Sequence, residues 1–175
     1  YGSKDHSLFP FYAIATCFYG DGLPVRLAND RYEQFQLGIK RHSVEMDVTI
    51  VADRKSGKFE ILKVFYKFNG GGRANFSFSV AQVGATAAQS IYYFPKSDLT
   101  TVALATPGSM RGYGTLQAMS ITELMVDELA VELGMDQIEL RRRNALQAGF
   151  ENTQGAQPLG ELNNIEMLDL AAKHP

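Results

Sequence analysis

One stretch concentrates the chemistry this chain can offer: Thr106-Pro107-Gly108-Ser109-Met110-Arg111-Gly112-Tyr113-Gly114-Thr115-Leu116-Gln117. Glycines at 108, 112 and 114 permit unusual φ values and let backbone amides approach a ligand. The helix that begins behind them adds partial positive charge suited to a phosphate or an oxo group. Arg111 supplies a planar fork of donors at the same place, and Tyr113 a flat face for stacking plus a hydroxyl. A turn with one surface Arg and one core Tyr accounts for the same residues, so the string Arg-Gly-Tyr-Gly is not specific by itself.

Other candidates carry less. His6, His42 and His174 lie far apart with no metal-ligand spacing and read as surface or capping residues, so no direct metal ligand is expected. Cys17 reads as a small core residue of an apolar helix, and a single cysteine forms no internal disulfide. Arg141-Arg142-Arg143, close to a helix C-terminus, reads as a solvated face favourable to the helix dipole. Gly70-Gly71-Gly72 lacks the Lys-Ser/Thr of a phosphate-binding P-loop, and no Rossmann fingerprint follows a strand.

The elements that must position the loop follow from periodicity. Ser7 to Tyr19 has helical spacing at Leu8, Phe11, Tyr12, Ala15 and Phe18, stopped by Gly20-Asp21-Gly22. Leu23 to Ala28 is β-like, and Asn29 to Arg41 is too mixed to assign. Val44, Met46, Val48, Ile50 and Ala52 alternate with polar residues; Phe59, Ile61, Val64 and Tyr66 do so less regularly. With the turn residues Asp53 to Lys58 between them, they predict an antiparallel hairpin with one wet face. Asn69 and the glycines after it break the second strand. Val80 to Ser90 is rich in small residues and predicts a closely packed helix, and Leu99 to Ala105 predicts a central strand. Leu116, Met119, Ile121, Leu124, Met125, Leu129 and Leu133 mark a long buried helix ending at Gly134. Asp136 then caps another helix whose apolar side is Ile138, Leu140 and Leu146.

Composition sets the class. The 175 residues are 45% hydrophobic and 21% charged, which are globular values that exclude a disordered tail, a coiled coil or a collagen-like repeat. Seventeen Lys plus Arg against nineteen Asp plus Glu leave a net charge of −2, which gives no electrostatic grip on nucleic acid or on anionic membranes. There is no signal peptide and no apolar run of about 18 residues, so no membrane span is expected. The compartment stays open, with the cytoplasm favoured over the periplasm. The abrupt opening at Tyr1 and the closing helix from Asn164 to Lys173 read as a piece of a longer polypeptide.

Two families share the loop's lettering. Arg111-Gly112-Tyr113-Gly114 resembles the opening of an RNA-recognition signature, but that signature continues into aromatic β structure, whereas Thr115 to Met119 runs into a helix. A fuller resemblance is to the molybdenum-binding large subunit of the xanthine dehydrogenase and aldehyde oxidase family. Its members carry an Arg-Gly-Phe-Gly type loop, a Gly/Pro-Gln and a long helix with an acidic pair. Here Arg111 to Gln117 is followed by Glu123, by Met125-Val126-Asp127-Glu128-Leu129-Ala130 and by Leu140-Arg141-Arg142-Arg143-Asn144-Ala145-Leu146. Upstream, Tyr1-Gly2-Ser3-Lys4-Asp5 is similar to the family's Phe-Gly-Gly-Lys-Glu. Leu23-Pro24-Val25-Arg26 and Asp30-Arg31-Tyr32-Glu33 stand in place of its Pro-Val-Arg and Arg-x-Glu stretches.

The resemblance implies an α+β fold, a two-layer α/β sandwich of the aldehyde oxidase/xanthine dehydrogenase molybdopterin-binding type. Residues 1–147 would form part of the molybdenum-cofactor-binding domain, and 148–175 a linker and the start of the next helical segment. It implies a molybdenum–molybdopterin cofactor, in bacterial relatives often the cytosine dinucleotide form, with iron-sulfur clusters and flavin on other domains or subunits. It implies hydroxylation of an aldehyde or N-heterocyclic carbon with oxygen from water. Position by position, Tyr1, Gly2, Met110, Arg111, Gly112 and Gln117 match the cofactor side, and Asp5 and Tyr113 the substrate side. Asp5 also fits a helix cap, and Gln117 a solvated helix position. Asp5 is a methylene shorter than the family's Glu, and Ser3 replaces a Gly. Val80-Ala81-Gln82-Val83-Gly84 lacks the Arg that purine-oxidising relatives place there, which favours aldehydes or simpler N-heterocycles. The family's catalytic Glu lies far downstream and its Gln near the oxo ligand lies upstream, so the 175 residues alone are expected to be inactive. The competing reading is a non-catalytic interaction or assembly module that keeps the fold.

Overall fold

A computed structural model describes residues 9–37, 41–69, 77–104 and 112–174. The hairpin is the organising unit. β1 (Ser43–Ala52) pairs antiparallel with β2 (Phe59–Asn69), with Met46 opposite Tyr66 and Ile50 opposite Leu62. The register shifts between Val51 and Ala52. That shift is why the inward residues of β2 read irregularly in the sequence: Phe59 and Leu62, three apart, both enter the core. Glu45, Asp47, Glu60, Lys63 and Lys67 line the wet face, as expected.

From β2 the chain passes through α3 (Ser77–Ala87), which begins three residues before the expected Val80, to β3 (Lys96–Ala103), parallel to β2. The sheet order is β1-β2-β3. The expectation of a central β3 is therefore corrected: β2, apolar along its inner face, is the central strand of the described sheet, and β3 is an edge. Leu23 to Ala28 forms no strand. The chain around it carries α1 (Phe9–Tyr19) and α2 (Arg31–Leu37). α2 starts on a capping box, Asp30 Oδ1 accepting from Glu33 N at 2.8 Å and Glu33 Oε2 from Asp30 N at 3.0 Å. α1 leaves Phe11, Phe18 and Tyr19 exposed. Cys17 is exposed with it, which corrects the core assignment.

α3 and α4 (Thr115–Leu133) cover one face of the sheet, giving the expected two-layer α+β arrangement. The stripe of α4 that is fully buried is Ala118, Thr122, Val126 and Ala130, not the larger residues; Leu116 and Leu124 are exposed. Small side chains at four-residue spacing let the helix lie close to its neighbours, while Ile121, Leu129 and Leu133 pack along the flank. Gly134, left-handed at φ 63°, ends α4. Asp136 then caps α5 (Gln137–Asn144) by accepting from Ile138 N and Glu139 N. Buried Asn144 ties this helix to the hairpin turn, accepting from Phe59 N at 2.8 Å and donating to Gly57 O at 2.8 Å.

Arg141-Arg142-Arg143 is not a solvated face. Arg141 donates to Glu123 Oε2 at 3.0 Å and pairs with Asp127 at 2.7 Å, Arg142 with Asp169 of α6 (Asn164–Ala171), and Arg143 with Glu139. α6 lies against α5, and Thr153 donates from both backbone and hydroxyl to Gln89 Oε1. Among the described residues no helix is long and apolar enough to cross a membrane.

Candidate functional site

The carboxyl ends of β2 and β3 lie side by side: Phe68 is opposite Ala103, and Leu104 N donates to Phe68 O at 2.9 Å. β1 begins at the same end, with Ser43 opposite Asn69. The amino-terminal turn of α4 belongs to this end too, because Gly114 is pressed onto Phe68. Gly112, Tyr113 and Gly114 are thus brought to the end of the sheet where β2 and β3 terminate, the usual address of ligands in sheets with parallel pairs.

Gly112 and Gly114 have φ of 85° and 80°, as the sequence required of a glycine-rich turn. Their reasons differ. A Cβ on Gly114 would lie 2.7 Å from Val80 O, 3.1 Å from Gly84 Cα and 3.2 Å from the Phe68 ring. A Cβ on Gly84 would lie 2.6 Å from the same ring. α3 and α4 therefore meet glycine to glycine over Phe68, and the small residues of α3 are explained by that approach. Gly112 is exposed, and the nearest atom to a Cβ there would be Nη1 of Arg41, at 3.9 Å. Tyr113 is half-buried and packs against the core.

Gln117 is not a solvated helix residue. Its Nε2 donates to His42 O at 2.9 Å, tying the first turn of α4 to the chain entering β1. That bond fixes the amide's orientation and leaves Oε1 buried without a donor. His42, expected at the surface, is 4% exposed; its ring meets Phe68 edge-on at 6.3 Å and its Nε2 is buried without a partner. Burial pushes the imidazole below its ordinary pKa, so it is neutral at pH 7. Gly114, the N-cap, provides no side-chain bond to the first amides of α4. The turn therefore gathers amides without a side-chain cap, an orphaned acceptor on Gln117 and an orphaned nitrogen on His42. Buried polar atoms are paired in the great majority of cases, so such a cluster suits a polar ligand bearing both hydrogen-bond donors and anionic oxygen, as a phosphorylated pterin does.

Tyr1, Gly2, Asp5, Met110 and Arg111 lie outside the described residues, so the structure brings together Gly112, Tyr113 and Gln117 of the expected set. It adds Arg41 and His42. Among the described residues no group of three or more His, Cys, Asp or Glu is placed to hold a metal ion. An open hollow of about 380 Å³ at the same end of the sheet, reaching onto its wet face, is lined by Ser43, Glu45, Lys67, Asn69 and Leu104. Its cation is already neutralised, Lys67 Nζ lying 2.8 Å from Glu45 Oε2.

The chain is 31% identical over 157 residues to a xanthine dehydrogenase molybdenum-binding subunit of Escherichia coli O157:H7, covering 87% of this chain and 21% of that protein. It is 31% identical over 149 residues to an aldehyde oxidoreductase of Megalodesulfovibrio gigas, covering 83% and 16%. The solved aldehyde oxidoreductase from Desulfovibrio gigas superposes with a TM-score of 0.78 at 29% identity, over 98% of this chain and 19% of that one. The chain thus spans about a fifth of the length of the proteins it matches. The profile of the molybdopterin cofactor-binding domain matches residues 1–145, and the chain belongs to that family.

Proposed function

We propose that the chain is the cofactor-cradling part of a molybdenum hydroxylase that oxidises an aldehyde or an N-heterocyclic carbon. The observation that carries the reading is the amino-terminal turn of α4. It belongs to a molybdopterin-binding domain and leaves Gln117 Oε1 and His42 Nε2 buried and unpaired beside two left-handed glycines. When bound, the cofactor supplies the transfer of water-derived oxygen and the two-electron redox step. The protein's share is placement. Gln117 Oε1, held by the bond to His42 O, would accept an N–H of the pterin ring. Met110, Arg111, Gly112, Tyr1 and Gly2 would hold the cofactor, and Tyr113 and Asp5 would contact the substrate. The cytosine dinucleotide form fits a bacterial relative, and iron-sulfur and flavin groups on other domains or subunits carry the electrons away. The catalytic base belongs to chain outside these residues, so the 175 residues alone are inactive.

Metal, phosphorus and pterin analysis of the full-length parent, purified with its partner subunits from its own host, tests this. Molybdenum with one pterin per chain is expected. A well-folded preparation without either overturns the reading in favour of an assembly module that kept the fold. In the same protein Arg111→Ala should lower molybdenum content, whereas Tyr113→Ala should spare it and raise KM. Equal loss in both would abolish the division between cofactor side and substrate side.

A further inference from the structure

The dipeptide Arg41-His42 enters β1 directly beneath the first turn of α4. We propose that Arg41 and His42, with the uncapped amides of that turn, form an anion subsite that holds the phosphate-bearing arm of the pterin, an inference that rests on the cofactor reading above.

Three observations converge on it. Arg41 Nη1 lies beside the open face of Gly112, where a side chain at 112 would meet it. Arg41 is half-buried and has no carboxylate partner among the described residues, whereas the other half-buried arginines, Arg141 and Arg143, each have one. Taking a guanidinium partly out of water costs free energy that an anion restores. His42 is 4% exposed with Nε2 unpartnered. It sits against the turn twice over, through the Gln117 bond to its carbonyl and through Phe68, whose ring lies under Gly114.

The donors differ in kind, and that identifies the ligand. Arg41 brings a permanent charge and several N–H groups, His42 one N–H as its Nε2 tautomer, and the helix start, where Thr115 N already donates to Gly112 O, the amides of Leu116 and Gln117 with their partial charge. All of these donate, and a phosphate group accepts from all of them. Gln117 Oε1 is the acceptor of the cluster and is left for the ring. The hollow lined by Lys67 is a poorer candidate for the phosphate, since Glu45 already occupies its cation.

The test uses the full-length parent with its partner subunits, as wild type, R41Q and H42L. Two readings are taken: the rate at which pterin is lost from the loaded protein, and the melting temperature of the cofactor-stripped protein with and without inorganic pyrophosphate. R41Q should lose pterin about tenfold faster or more, the scale of one charged hydrogen bond. Pyrophosphate should raise the melting temperature of stripped wild type and leave that of R41Q unmoved. H42L should also lose pterin faster, yet its stripped form should melt above stripped wild type, because a buried unpaired nitrogen has been removed; a purely structural histidine would move both readings the same way. Wild-type pterin loss in both variants, or equal stabilisation of wild type and R41Q by pyrophosphate, overturns the subsite. A wild type without pterin overturns the cofactor reading instead, and the pyrophosphate arm still reports whether Arg41 holds an anion.

Discussion

The two ends of α4 treat polar groups in opposite ways. Toward its middle and carboxyl half, Glu123 accepts from Ser90 Oγ and Tyr92 OH at 2.7 Å each and from Arg141 at 3.0 Å, while Asp127 faces the same guanidinium. The Asp127 contact is an ion pair rather than an aligned hydrogen bond, since its Oδ1 lacks a hydrogen-bond donor. The network is otherwise closed: burial and the Glu123 carboxylate raise the Tyr92 hydroxyl's pKa, so it stays a donor. Burial works against the Arg141 charge, but Asp127, Tyr92 and Glu123 outweigh it and hold its pKa above the ordinary value. At the amino end, a few turns away, His42 and Gln117 each bury an unpaired atom and Gly114 caps nothing. An unpaired buried group costs about 1–3 kcal/mol. Glu123 is paired with three donors, whereas the amino end leaves two buried side-chain atoms unpaired, which suits the partner proposed for that end.

The largest effect should come from breaking the packing that holds the open end in place. Gly114→Ala must accept both a left-handed φ and a Cβ 2.7 Å from Val80 O, in a contact where Gly84 and Phe68 leave no slack. Backbone strain plus overpacking should cost about 2–4 kcal/mol, read as a lowered urea midpoint with unchanged m-value. A loss below about 0.5 kcal/mol, within the range of ordinary surface substitutions, would mean that the glycine contact does not position α4.

The closed network should break next. Arg141→Met leaves Glu123 and Asp127 facing each other without a cation. Because the three side chains are 16%, 34% and 39% exposed, water recovers part of the loss, and about 2–3 kcal/mol is expected rather than the full cost of a buried pair. The comparison predicts more than the size: the folded fraction of Arg141→Met should keep its pterin at the wild-type ratio, since nothing in this network reaches the open end. Reduced pterin per folded chain would show that the two ends are coupled through the helix.

How far this division could be read from the sequence depends on what each residue does locally. The hairpin, the caps at Gly134 and Asp136 and the long helix followed from period and turn chemistry, which act over a few residues. The glycine turn was legible for the same reason. β3 was misplaced because β-branched composition reports a strand's own burial preference, not which neighbours complete its sheet. The buried stripe of α4 differs from the one its large apolar residues suggest, because it is selected by close approach to neighbouring elements, which favours Ala118 and Ala130 and leaves no local signature. Three further signals stand in the sequence. Asp30-x-x-Glu33 is a capping box, and His42 shares the even positions of Val44, Met46, Val48 and Ile50, which extends the inward face of β1 by one step. Glu123 and Asp127, one turn apart, likewise called for a shared cation that Arg141 supplies from another helix.

The smallest effect isolates the open end by titration. Burial alone holds the His42 imidazole below its ordinary value of 6.5. As pH falls below that value, the unfolded chain takes up a proton that the native state still refuses, so the unfolded state binds more protons and native stability declines. The decline ends once pH passes the lower native value, where both states are protonated. The informative quantity is a difference: stability of the stripped full-length protein against pH, minus that of His42→Leu. This difference should fall steadily below pH 6.5 and be flat above it. A phosphate bound at the subsite should reverse its sign, because an anion beside the imidazole favours the protonated form. In the pterin-loaded protein the histidine's contribution should therefore rise as pH falls, where in the stripped protein it sinks. The same slope in loaded and stripped protein would leave His42 a buried residue without an anionic neighbour, and the open end would have to find its partner through Gln117 and the glycine turn alone.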